Sequence, residues 1–220
     1  MKKLLLIALL AAAGAAQAQE REWTNYRKFV ETLKLDRYYA LPASERDKLD
    51  FYLVMRPANK NLKVSDFNLT VTHAGTRSPL PVDGKSQLRM APNPQWLAED
   101  AVIMTSQPKG EKLSVIYNLD ALVPEGTQWP YKQLMGSIAQ GNAAIGKVAG
   151  AFSLFAPTIK SVALSFDQPA QLTIQSKSGA RQFLSDAKNR IRLTPDAALM
   201  KENPLMVVSI RPLKADLDTE

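Results

Sequence analysis

No cysteine and only one histidine occur among the 220 residues. The first absence removes disulfides, thiolate metal sites and thiol nucleophiles together, so stability has to come from packing. The second leaves His73 as the sole imidazole. A Ser-His-Asp arrangement would have to be built around it, and a zinc site would take at most one histidine, with carboxylates for the rest. His73 closes the pattern Leu69-Thr70-Val71-Thr72-His73 and is expected as an exposed strand-end residue. Phosphate-binding glycine loops are also missing. Gly136, Gly141, Gly146 and Gly150 have neither the spacing of a nucleotide fingerprint nor the strand that should precede one. These exclusions predict no metal and no cofactor.

Long apolar runs are absent except at the N-terminus. Met1-Lys2-Lys3 is a short positive region, Leu4 to Ala16 is apolar or small throughout, and Ala16-Gln17-Ala18 has small residues where a signal peptidase probes. The run is too short for the roughly 20 residues that span a bilayer as a helix. Residues 1–18 therefore read as a cleaved signal peptide with a mature start at Gln19, which predicts an exported, periplasmic protein and no transmembrane segment in the mature chain. Loss of Lys2 and Lys3 lowers the 28 basic residues to 26 against 21 acidic ones. The remaining positive balance favours anionic partners. Export makes those an envelope polymer, lipid headgroups or another exported protein, and not nucleic acid.

What is present is an internal repeat. Leu69-Thr70-Val71 recurs as Leu172-Thr173-Ile174, an offset of 103 (172 − 69), and the register continues without a gap. Asp83 falls on Asp186, Lys85 on Lys188, Leu88-Arg89-Met90 on Ile191-Arg192-Leu193, Asn93 on Asp196 and Ser106 on Ser209. This register points to two related modules, 19–125 and 126–220, descended from a duplication.

Within the first module, Trp23, Tyr26, Val30 and Leu33 recur at helical spacing and predict about three turns of helix. Leu49, Phe51, Leu53 and Met55 alternate with Asp50, Tyr52, Val54 and Arg56, a strand period ended by Pro57. Further strands are expected at 69–73, 86–91, 101–106 and 113–119. Asn93-Pro94 reads as a helix cap with proline at the first helical position. In the second module, Leu134, Ile138, Gly141, Ile145, Val148, Phe152 and Phe155 predict a glycine-rich helix over about 131–155. Strands follow near 162–166, 172–176, 189–193 and 205–210, and the polar tail from 214 onward is expected to be unstructured. Each module thus reads as a helix followed by about four mostly antiparallel strands, an α+β, strand-rich fold, whether as two units or packed as one.

Chemistry is sparse. Asp83-Gly84 and Asp186-Ala187 most simply make turns that feed the next strand. Other carboxylates leave room for a glycosidase pair, whose separation the sequence does not give. The one set with a pattern is cationic. Lys85 and Arg89, and in the second module Lys188, Arg190 and Arg192, fall on the strand face opposite the apolar residues, and such a stripe is a candidate anion-binding surface. The leading expectation is a non-enzymatic exported binding protein for an anionic envelope component or a protein partner. The alternatives are a carboxylate-dependent hydrolase of envelope glycan and a periplasmic chaperone or assembly factor that lends a strand edge.

Overall fold

The computed structural model describes residues 20–150 and 157–220. The signal-peptide segment 1–18 and the expected helix positions Phe152 and Phe155 lie outside the described residues. Within them the fold is α+β and strand-rich, with fourteen strands and five α-helices. The first half carries β1 (Arg21–Asn25), α1 (Tyr26–Thr32), α2 (Leu35–Tyr39), β2 (Leu49–Pro57), β3 (Thr70–His73), β4 (Thr76–Pro79), β5 (Gln87–Leu88), α3 (Pro94–Ala98), β6 (Val102–Thr105) and β7 (Leu113–Ala121). The second carries β8 (Gln128–Pro130), α4 (Tyr131–Ala149), β9 (Ser161–Ser165), β10 (Gln171–Ser176), β11 (Gly179–Leu184), β12 (Arg190–Leu193), α5 (Ala197–Glu202), β13 (Leu205–Val208) and β14 (Lys214–Asp218).

Three sheets result, all their pairings antiparallel: β1-β6-β3-β4, β11-β10-β13-β8, and a six-stranded sheet β12-β9-β14-β7-β2-β5. Adding seven to each strand number of the first half reproduces the order of the second. The six-stranded sheet joins the halves through β7 and β14, so one sheet runs across the boundary expected at 125/126. Two apolar clusters cover its inner face, one around Tyr26, Leu53, Phe67 and Ile103 and the other around Trp129, Leu134, Leu164 and Met206.

Local detail agrees between the halves at the offset of 103. The Asp83 carboxylate accepts from the backbone N–H groups of Lys85 and Gln87, and Asp186 accepts from those of Lys188 and Arg190, all at 2.8 Å. Ser86 and Asn189, at the same place in each turn, both have left-handed φ, 61° and 56°. Asn93 and Asp196 both cap short helices, each accepting from two backbone N–H groups. The N–H of each capping residue also donates to a buried tyrosine hydroxyl, Tyr26 at 3.0 Å and Tyr131 at 3.1 Å, although these two tyrosines are 105 apart (131 − 26) and not 103. These turns and caps take up backbone groups that would otherwise be unpaired at the ends of strands and helices.

Several expectations need correction. Trp23 lies in β1, and the helix starts only at Tyr26, with Asn25 as its cap. It does not run for three turns. Lys34 adopts φ 54°, which breaks the path and lets Leu35 and Tyr38 of α2 turn inward. Strands β4, β8 and β11 were not expected, because their residues show no apolar alternation. The 214–220 tail is not unstructured: β14 is a central strand whose Ala215 and Leu217 face the core while Lys214, Asp216 and Asp218 face outward. Its polar half hides the alternation in composition. His73 is not exposed either. Its side chain retains 10 % exposure, and Nδ1 sits 2.7 Å from Glu99, whose carboxyl that contact holds below its usual range.

Candidate functional site

The cationic stripe is not built as a row. Lys85 and Lys188 sit in the turns before β5 and β12, where the left-handed residue at 86 or 189 interrupts the strand alternation. Arg190 and Arg192 do share the outward face of β12, opposite Ser165 and Ala163. Two of the five cations are already engaged. Arg89 forks onto Asp50 at 2.9 and 3.0 Å and lies 4.2 Å over the Tyr52 ring. Arg192 pairs with Asp218 at 2.9 Å and also reaches the Ser161 hydroxyl.

These arginines belong to a charged network on the outer face of the six-stranded sheet. Asp50, Asp120 and Asp216 are direct neighbours across β2, β7 and β14. Like charges so placed repel, and the row is held by cations at both ends. Arg89 neutralises Asp50, and Lys214 reaches both Asp120, at 3.2 Å, and Asp216. The buried Tyr52 hydroxyl donates to Asp120 at 2.7 Å. Burial pushes the Asp120 carboxyl above its usual range despite the Tyr52 and Lys214 contacts. Burial works against the Lys214 charge too, but Asp216, Asp120 and Tyr52 together hold the ammonium more firmly than usual. Every member has a partner, which suits a structural role.

The inner face of the same strands builds a different feature. Phe51 of β2, with Tyr117 and Leu119 of β7, forms the floor of a cavity of about 610 Å³. The α1–α2 turn supplies Leu33, Lys34, Arg37 and Tyr38 on one side, and the last turns of α4 supply Ala144, Ile145 and Val148 on the other. The alternation of β2 and β7 dictates this. Odd-numbered residues face the helices and even-numbered ones the charged network, so Phe51 and Leu119 line the cavity while Tyr52 and Asp120 lie behind it.

Among the described residues, packing explains why space is left beside the last turns of α4. Near the middle of the helix Gly141 lets the backbone approach the sheet. A Cβ there would come within 2.8 Å of Ile159 Cδ1 and 3.3 Å of Leu217 Cδ1. The close approach offsets the roughly 1 kcal/mol that glycine costs a helix. Farther along, the facing residues are the rings of Phe51 and Tyr117, whose centroids are 6.4 Å apart. Phe51 also stacks on Tyr38 at 4.4 Å. Burial first, and then neighbouring Tyr39, pushes the Tyr38 hydroxyl up to about 12, and burial raises Tyr117. Both stay neutral at ordinary pH.

Among the described residues the lining holds two charges, both positive: Lys34 and Arg37. Among the described residues neither lies within ion-pair distance of a carboxylate. Arg37 Nη1 donates to the Val148 carbonyl at 3.4 Å, in the last turn of α4. Sequence reasoning missed this site because its walls come from three separated stretches. The available signal was the shared face of Leu113, Val115, Tyr117 and Leu119. His73 and the Asp83 and Asp186 turns are not part of it.

The fold and site thus define an α+β protein in which two halves of like strand order share a sheet and enclose an apolar cavity at their junction. Residues 18–166 match a family described as protein of unknown function, DUF2987, and the chain belongs to that family. The matched stretch contains every residue named in the cavity lining. No curated protein and no solved structure matches the chain.

Proposed function

We propose that this is an exported, non-enzymatic envelope protein that binds a small, largely apolar envelope component in the cavity between α1–α2 and α4. The cavity is the observation that carries the reading. Its volume of about 610 Å³ lies within the range of drug-sized ligand sites, and its walls are mostly aliphatic and aromatic with a few polar groups, the usual make-up of such a site. Export rests on the signal-peptide pattern of residues 1–18. The repeated turns and caps favour descent of the two halves from one module, which placed a junction where a cavity could form.

A hydrolase is the less favoured reading because no carboxylate lines the cavity among the described residues. The buried Asp120 and its half-buried neighbour Asp216 are committed to Tyr52 and Lys214.

The test is titration with a neutral environment-sensitive fluorophore such as phenylnaphthylamine, on the mature protein and on Ala144→Phe. Ala144 is buried and lines the cavity, so a ring there would fill it. Saturable binding that Ala144→Phe abolishes, with the circular dichroism spectrum retained, supports the reading. Equal binding by both proteins, or none by the parent, overturns it. Export is checked separately by N-terminal sequencing of the periplasmic protein, which should begin at Gln19.

A further inference from the structure

Resting on that cavity reading, we infer that the ligand is a single-chain amphipathic anion: an acyl or alkyl chain lies against Leu33, Phe51, Leu119, Ile145 and Val148, and its anionic headgroup sits between Lys34 and Arg37. Three observations converge. Among the described residues the lining has an apolar wall on each side and charge of one sign only. Both cations lack a carboxylate partner among the described residues, whereas Arg89, Arg192 and Lys214 on the outer face of the six-stranded sheet each have one. Both come from one turn of chain. Lys34 is the left-handed residue between α1 and α2, and Arg37 follows three positions later, where its contact with Val148 holds it at the end of α4.

The alternatives are weaker on physical grounds. Aromatic rings such as Tyr38, Phe51 and Tyr117 also attract quaternary ammonium groups. Two cations in the same lining oppose any cation that enters beside them. A wholly neutral ligand would leave Lys34 and Arg37 without a counter-charge as it displaced water around them. A headgroup anion removes both penalties. Carboxylate and phosphate share this chemistry, and Arg37 can fork onto either.

The experiment compares probes of one chain length by calorimetry: dodecanoate, dodecyl phosphate, dodecanol and dodecyltrimethylammonium, each below its aggregation concentration. Both anions should bind about tenfold or more tightly than the alcohol, as one or two charge-assisted hydrogen bonds imply, and added salt should narrow the gap. Whichever anion binds tighter identifies the headgroup class. Lys34→Asn removes one charge at a position where asparagine tolerates the left-handed backbone, and Arg37→Gln removes the other. Each should weaken the anions and leave dodecanol unchanged. Lys34→Asn is the safer variant because Arg37 also touches Val148. Equal affinity for acid and alcohol, tighter binding of the ammonium probe, or anion affinity unmoved by both substitutions would overturn the headgroup assignment while dodecanol binding still upheld the cavity. Failure of all four probes to bind would overturn both.

Discussion

The two halves of the chain agree in their sheets and disagree in their helices. Among the described residues each has seven strands in one order, a capped short helix before the sixth, and an aspartate turn before the fifth. Over this common frame the first half lays two short helices broken at Lys34, and the second lays the 19-residue α4. The halves also differ between their second and third strands. There the first inserts residues 58–68, whose Val64 and Phe67 are buried in its own core, and the second has a short link. The cavity forms where the unlike helices meet. Strand order is constrained by hydrogen bonding and register, so change collects in the covering helices, and that is where a binding site can be built.

The sharpest test of the comparison is the core. Leu53 faces Leu88, and Leu164 faces Ile191, at matching places in the six-stranded sheet. Both leucines are buried. Leu53→Ala and Leu164→Ala should each cost about 2–5 kcal/mol. Because the sheet crosses the junction, each variant should shift a single unfolding transition. Two separate calorimetric transitions would show that the halves unfold independently.

The caps come next. Asn93→Ala should cost about 1 kcal/mol. Asp196→Ala should cost more, since Asp196 also pairs with Arg181 at 2.9 Å. The two caps differ in their response to acid. The backbone N–H of Leu199 and then Arg181 hold the Asp196 carboxyl below its usual range. Its contribution is therefore present above the unfolded carboxylate pKa, near 4, and is lost as pH falls through the lower folded value. Asn93 has no such titration. Asp196→Asn should flatten the acid limb of a stability-against-pH curve, and an unchanged limb would count against this role for the cap.

The smallest effect concerns the matched arginines. Arg89 covers Tyr52, whereas Arg192 faces Ala163, which has no ring to cover. Both guanidinium side chains are about two-fifths exposed, so their ion pairs contribute little, on the order of 0–1 kcal/mol. Arg89→Ala should lose slightly more stability in urea than Arg192→Ala. The reverse order would mean that the Asp218 pair matters more than the ring contact.

Much of the frame was legible in the sequence. The alternation of β2 and β7, the Asn93 and Asp196 caps and the aspartate turns are local patterns, and each appears where the residues predicted. The stripe of Lys85, Arg89, Lys188, Arg190 and Arg192 was legible as composition but not as geometry. Two left-handed turn residues interrupt it, and Asp50 and Asp218, remote in sequence, engage Arg89 and Arg192. Strand β14 was misread for a related reason: half of its residues face a charged network that polar composition alone cannot distinguish from a tail.

The sequence by itself determined the alternating strands, the two caps and the aspartate turns, because apolar spacing, caps and turns act over a few residues. Only the tertiary structure decided that β7 and β14 would join the halves, that Asp50, Asp120 and Asp216 would become neighbours, and that Lys34 and Arg37 would share a cavity with Phe51, Tyr117 and Val148. Those outcomes depend on pairing between strands and packing between helices far apart in the chain, where many registers satisfy the local patterns and only the buried fit of the whole selects one.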